Sequence, residues 1–135
     1  MLIDKNITVL VVDDSDSMRT TVKSILREIG FINIAEASDG IHALAQLKHG
    51  GIDILISDWN MPNMDGITLV RMIRGDDALK NMIVLMVTAE ADKEHVVEAI
   101  KVGIDDYIVK PFTGDVLQKK LSAIFEKKPP RKKEP

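Results

Sequence analysis

Five short apolar runs, rich in β-branched residues, alternate with segments of helical periodicity, and this alternation restricts the fold more than any other feature of the chain. Thr8-Val-Leu-Val-Val12 is continuous, as a strand buried on both faces requires. Ser15-Asp-Ser17 then offers helix N-caps, and Met18, Val22, Ile25, Leu26 and Ile29 recur at helical spacing until Gly30. Ile32–Glu36 reads as a second strand. A second helix runs from about Gly40 to His49, with Ile41, Leu44 and Leu47 on one face. Ile52–Ser57 is the third strand, and Met61–Gly66 is a loop on its turn residues. The third helix carries Leu69, Val70 and Ile73 and ends near Gly75. Met82–Val87 is the fourth strand. A fourth helix, from about Asp92 to Val102, is expected to bury Val96, Val97 and Ile100, with Gly103 as its cap. Asp106–Val109 is the fifth strand, and Leu117, Leu121, Ile124 and Phe125 mark the last helix.

A (βα)₅ alternation implies a parallel sheet covered by helices on both faces. The flavodoxin-like strand order 2-1-3-4-5 is expected, with its switch point between the first and third strands. Ligands of such sheets bind beyond the carboxyl ends of the strands. In this chain those ends are Asp13-Asp14, Asp58, Thr88 and Lys110-Pro111. Singly, each has a bland explanation, since Asp at a strand end often caps the next helix. Together they bring three carboxylates, a hydroxyl and an ammonium to one rim, which packing alone does not explain.

Three carboxylates a few ångströms apart repel one another unless a cation joins them. Mg²⁺ suits the set: it takes a few carboxylates, keeps waters and completes its shell with phosphate oxygens. Ca²⁺ is disfavoured because no loop carries regularly spaced oxygen ligands. Three carboxylates, one ammonium and one dication are neutral overall, which leaves room for an incoming phosphoryl group. Asp58, central in the expected sheet, is the best nucleophile, since an aspartate can form an acyl phosphate. Lys110 and Thr88 are placed to meet phosphoryl oxygens, and Asn60 to offer its backbone carbonyl to the metal.

Composition narrows the alternatives. The 135 residues suit one domain over 1–126, with a basic, Pro-containing tail at 127–135 that reads as disordered. That tail holds five basic residues and one acidic, leaving 13 basic against 20 acidic elsewhere, so nucleic acid is not the expected partner. With no Cys, disulfides, thiolate metal sites and Cys nucleophiles are excluded. No signal peptide and no membrane span are expected, and the cytoplasm is the expected location. His42, His49 and His95 share no ligand spacing and read as surface residues.

The segments Val-Val-Asp13-Asp14, Ser-Asp58-Trp-Asn-Met-Pro-Asn-Met-Asp-Gly66, Val-Thr88-Ala-Glu-Ala91 and Val-Lys110-Pro-Phe112 resemble the bacterial response-regulator receiver domain over residues 6–126, and its chemotaxis members in particular. The resemblance implies a single-domain switch, not an enzyme acting on external substrates. Asp58 would take phosphate from the phosphohistidine of a histidine kinase. Asp13, Asp14, Asp58 and the Asn60 carbonyl would hold Mg²⁺, with Lys110 and Thr88 on the phosphoryl group and a cis Lys110-Pro111 peptide. Thr88 would move inward and Tyr107 rotate from exposed to buried, reshaping a surface that includes Lys93, Val96, Ile100, Tyr107 and Lys120. In the family that surface meets the flagellar motor switch. Asn60 and Glu90 would tune hydrolysis of a short-lived acyl phosphate, with a phosphatase as a further partner, and the protein would act as a monomer. Ile100 departs from the smaller residue of the best-known chemotaxis regulators. Taken alone, Tyr107 reads as a half-buried strand aromatic rather than a switch, and only the resemblance brings the two readings level; Trp59 reads as exposed.

Three other functions compete. A flavodoxin needs a Ser/Thr/Gly-rich first loop to cradle phosphate, and here that loop is acidic. A phosphatase of the haloacid dehalogenase type needs an acid where Asn60 stands, and an amide has no such proton. A stand-alone receiver in another phosphorelay shares all of the chemistry.

Overall fold

The computed structural model describes residues 5–89 and 93–129, and of Lys93 only the backbone. The elements are β1 (Thr8–Val12), α1 (Asp16–Ile29), β2 (Asn33–Ala37), α2 (Gly40–His49), β3 (Ile54–Asp58), α3 (Gly66–Arg74), β4 (Ile83–Thr88), α4 (Lys93–Val102), β5 (Asp106–Val109) and α5 (Gly114–Lys127). The strands form one parallel sheet in the order β2-β1-β3-β4-β5, as the alternation predicts. Register aligns Val12 with Ser57, Asp58 with Val87 and Thr88 with Val109, so the carboxyl ends of the four adjoining strands lie along one edge.

Period-two alternation divides the sheet between two cores. Leu10, Val12, Leu55, Val84 and Met86 face one, which α2, α3 and α4 complete with Leu44, Leu47, Leu69, Ile73 and Ala99. Val9, Val11, Ile54, Ile56, Leu85 and Val87 face the other, filled by Val22 and Leu26 of α1 and Leu117, Leu121 and Phe125 of α5. Burying an aliphatic or Phe side chain in either contributes about 1.5–3 kcal/mol, which makes an apolar run of this length a strand covered on both sides.

Local chemistry starts the helices where the strands deliver them. Ser15, Asp39, Asp65 and Thr113 cap α1, α2, α3 and α5, each accepting from the backbone amide three residues on. Gly30 ends α1 at φ 120°, in the region that disfavours side chains.

Two helical faces differ from expectation. In α2, Ile41 is 52% exposed while Ala43 is fully buried. In α4, Val97 and Ile100 are 41% and 59% exposed and Val96 is half-buried, whereas Ala99 is fully buried. Apolar residues cover more than half the circumference of this short helix, so periodicity cannot select the inner face. The small Ala99 brings the helix close to the sheet and leaves the larger side chains outside.

The strands β3 and β4 end at Asp58 and Thr88, so both residues stand on the sheet itself. At the opposite pole Lys128 donates from Nζ to Met82 O at 3.0 Å. Residues 130–135 of the basic tail lie outside the described residues. No described helix is long and apolar enough to cross a membrane.

Candidate phosphoryl and metal site

Asp13 follows β1 directly and is buried, 4% exposed. Its Oδ1 accepts from Ser15 N at 2.9 Å, and its Oδ2 accepts from Lys110 Nζ at 3.0 Å. The same ammonium lies 3.3 Å from Asp58 Oδ2. The other oxygen of Asp58 accepts from Trp59 N at 2.8 Å. Lys110 thus bridges the carboxylates that end β1 and β3, reaching across from β5. Asp14 is exposed, and oxygens of Asp13, Asp14 and Asp58 lie within 4.8 Å of one another. Burial, reinforced by the charge of Asp13 and opposed by Lys110, raises the Asp58 carboxyl above the usual carboxylate range. The cluster therefore holds more negative charge than its single ammonium balances, and a hard dication fits its all-oxygen donor set.

Thr88 ends β4, 1% exposed, and the peptide oxygen of Thr88 accepts from Lys110 N at 2.9 Å. The Lys110–Pro111 peptide is cis, as the resemblance implies. Asn60 is exposed in the β3–α3 loop, two residues beyond Asp58. Glu90 lies outside the described residues, as does the Lys93 side chain. The structure therefore brings Asp13, Asp14, Asp58 and Lys110 together and sets Thr88 at the same sheet edge.

Of the expected partner surface, Tyr107 is half-buried on the edge strand β5. Lys120 Nζ stands 5.3 Å from its ring centroid and 3.3 Å from Asp106 Oδ1, which also accepts from Tyr107 N at 2.8 Å. Lys120 reaches this edge from α5, while Val96 and Ile100 lie on α4, half-buried and exposed.

Three features were missed in the sequence. Trp59 is buried at 8% exposure, with His95 edge-on against it at 5.3 Å between ring centroids. His95 is thus a packed ring and not a simple surface residue. Asp39, 3% exposed, accepts from His42 N at 2.8 Å and from Asn63 Nδ2 at 2.7 Å. The His42 amide, followed by the Asn63 side chain, holds the Asp39 carboxyl down at about 2. Only the Asp-Gly pair ahead of a helix signals Asp39 in the sequence. Gly66 begins α3 against the end of β3, and a Cβ there would lie 2.4 Å from Asp58 O.

Residues 9–122 match the response regulator receiver domain family. Chemotaxis protein CheY-3 of Vibrio cholerae serotype O1 is 50% identical over 126 residues, covering 93% of this chain and 97% of that protein. Chemotaxis protein CheY of Pseudomonas aeruginosa is 50% identical over 119 residues, covering 88% and 96%. A high-resolution structure of the Vibrio cholerae chemotaxis response regulator CheY4 superposes with a TM-score of 0.81 at 37% identity, covering 88% of this chain and 98% of that one.

Proposed function

The chain belongs to the response regulator receiver domain family, and from that premise we propose that it is a chemotaxis response regulator that accepts a phosphoryl group on Asp58 from a histidine kinase. The observation that supports this best is the Lys110 ammonium bridging Asp13 and Asp58, 3.0 and 3.3 Å away, with Asp14 alongside.

In this reading an oxygen of Asp58 attacks phosphorus, and the P–N bond to the donor imidazole breaks. The bonding pair stays on the nitrogen, which takes a proton from solvent. Lys110 sits beside the attacking carboxylate, where it meets a phosphoryl oxygen, and the Thr88 hydroxyl donates to another. Such catalysis is positioning and charge neutralisation. Asp13, Asp14, Asp58 and the Asn60 carbonyl hold Mg²⁺, which when bound neutralises charge on the transferring group. Asn60 and Glu90 set the lifetime of the acyl phosphate, with a phosphatase as a further partner.

The listener binds at the β5 edge. Thr88 and Tyr107 stand on paired strands, so a shift of Thr88 toward the phosphoryl group opens space for the Tyr107 ring. Turning that ring inward breaks its contact with Lys120 and changes the face formed with Lys93, Val96 and Ile100. The exposed Ile100 gives that face an apolar centre, which fits a protein partner of the flagellar motor switch. The reading places the protein in the cytoplasm, as a monomer.

The test is capture by immobilised protein in Mg²⁺ and beryllofluoride, compared with untreated protein, from lysate of the source cell. Motor switch protein is expected to bind the treated form several-fold more. Capture of a kinase or phosphotransfer protein alone, in both states, would contradict the motor role and favour a phosphorelay receiver.

A further inference from the structure

We propose that Asp39 is a positioning residue for the metal site, acting through Asn63 to hold the loop that carries Asn60. This inference rests on the reading of Asn60 as a metal ligand. Asp39 follows β2, whose last residue, Ala37, accepts from Asp13 N at 3.2 Å, so its backbone is fixed to the same scaffold as the metal carboxylates.

Capping explains only half of what Asp39 does. Its Oδ1 accepts from His42 N and His42 Nδ1, both at 2.8 Å, which satisfies the start of α2. Its Oδ2 is occupied by Asn63 Nδ2 at 2.7 Å, a contact between two loops that no helix cap needs. Asn63 adopts φ 67°, a conformation costly for most side chains, while making this contact. A second tie lies alongside, from Gly40 N to Met64 O at 3.1 Å. The approach is close enough that a Cβ on Gly40 would lie 2.7 Å from that oxygen. Beyond Asn63, Gly66 N donates to Trp59 O at 2.8 Å and closes the loop on the acceptor strand. Residues 60–65 are therefore anchored at their end by the acceptor strand and at their middle by Asp39. With a buried ionised carboxylate as the anchor, the Asn60 carbonyl is preset for the cation before it arrives.

Two substitutions remove the tie while sparing the local backbone. Asp39→Ser keeps a good N-cap but is too short to reach Asn63. Asn63→Gly accepts the positive φ and loses the amide. Titration calorimetry with MgCl₂ is expected to show each weakening Mg²⁺ about tenfold, as loss of a partner that orients a ligand does. The double variant should be no weaker than either single, because both remove one contact. Phosphorylation by acetyl phosphate should recover at saturating Mg²⁺, which a general loss of structure would not permit. Asp13→Asn serves as the control. If it weakens Mg²⁺ while Asp39→Ser and Asn63→Gly bind like the parent, or if their effects add, the positioning role is wrong. If Asp13→Asn also binds like the parent, the metal assignment fails and the positioning role with it.

Discussion

Asp58→Asn is expected to take up no phosphoryl group from acetyl phosphate in the presence of Mg²⁺, while the fold persists. The amide has the shape of the carboxylate, and its oxygen can still accept from Trp59 N, which Asp58 Oδ1 does at 2.8 Å. It lacks the anionic oxygen pair that attacks phosphorus. The native site holds Asp13 and Asp58 on one shared ammonium, at 3.0 and 3.3 Å. Removing one carboxylate lets Lys110 pair with Asp13 alone, so the melting temperature should equal or exceed that of the parent. A phosphorylated Asp58→Asn protein would show that another residue accepts. A collapsed melting temperature would show that Asp58 is structural.

Gly66→Ala is expected to be the most damaging small substitution near the site. By helix propensity alone alanine should win here by about 1 kcal/mol. The geometry opposes it: the added carbon would lie 2.4 Å from Asp58 O and 3.1 Å from Met86 Sδ. The sulfur belongs to a flexible side chain and can yield. The carbonyl cannot, because Asp58 is in register with Val87 and Gly66 N is tied to Trp59 O at 2.8 Å. Overpacking against fixed backbone should cost on the order of 3 kcal/mol, or roughly 10 °C in melting temperature. Any relief moves the acceptor strand, and a displacement of about 1 Å at a reacting group costs about 10²-fold in rate. Gly114→Ala is the control. It also opens a helix, but its Cβ would meet Ile25 Cγ2 at 3.6 Å, ordinary contact, so stability should be unchanged or slightly higher. Similar melting temperatures for the two variants would refute the packing account.

These two glycines also mark how far the sequence could be read. Short β-branched runs such as Thr8–Val12, alternating with helical periodicity, read as strands covered on both faces, and the (βα)₅ alternation made the parallel sheet and its order legible. With the order came the rim, because Asp13, Asp58, Thr88 and Lys110 each end or directly follow a strand. Pattern ran out where a neighbouring element decides. The inner face of α4 depended on Ala99, whose small side chain carries little hydrophobic signal of its own. Trp59 follows a strand-end carboxylate and reads as exposed, yet His95 and the core beneath α3 and α4 enclose it. Asp39 and Asn63 are 24 residues apart and meet only because β2 and β3 flank β1. The clash at Gly66 depends on a carbonyl eight residues away that local pattern does not place.

The bond that Asp58 forms with phosphorus distinguishes it from every other candidate acceptor. Protein treated with acetyl phosphate and Mg²⁺ is reduced with borohydride, which converts an acyl phosphate to an alcohol, and is then mapped by peptide mass spectrometry. Homoserine is expected at position 58 and nowhere else. Homoserine at position 13 or 14, or a reduction-resistant phosphate on Ser57 or Thr88, would contradict it.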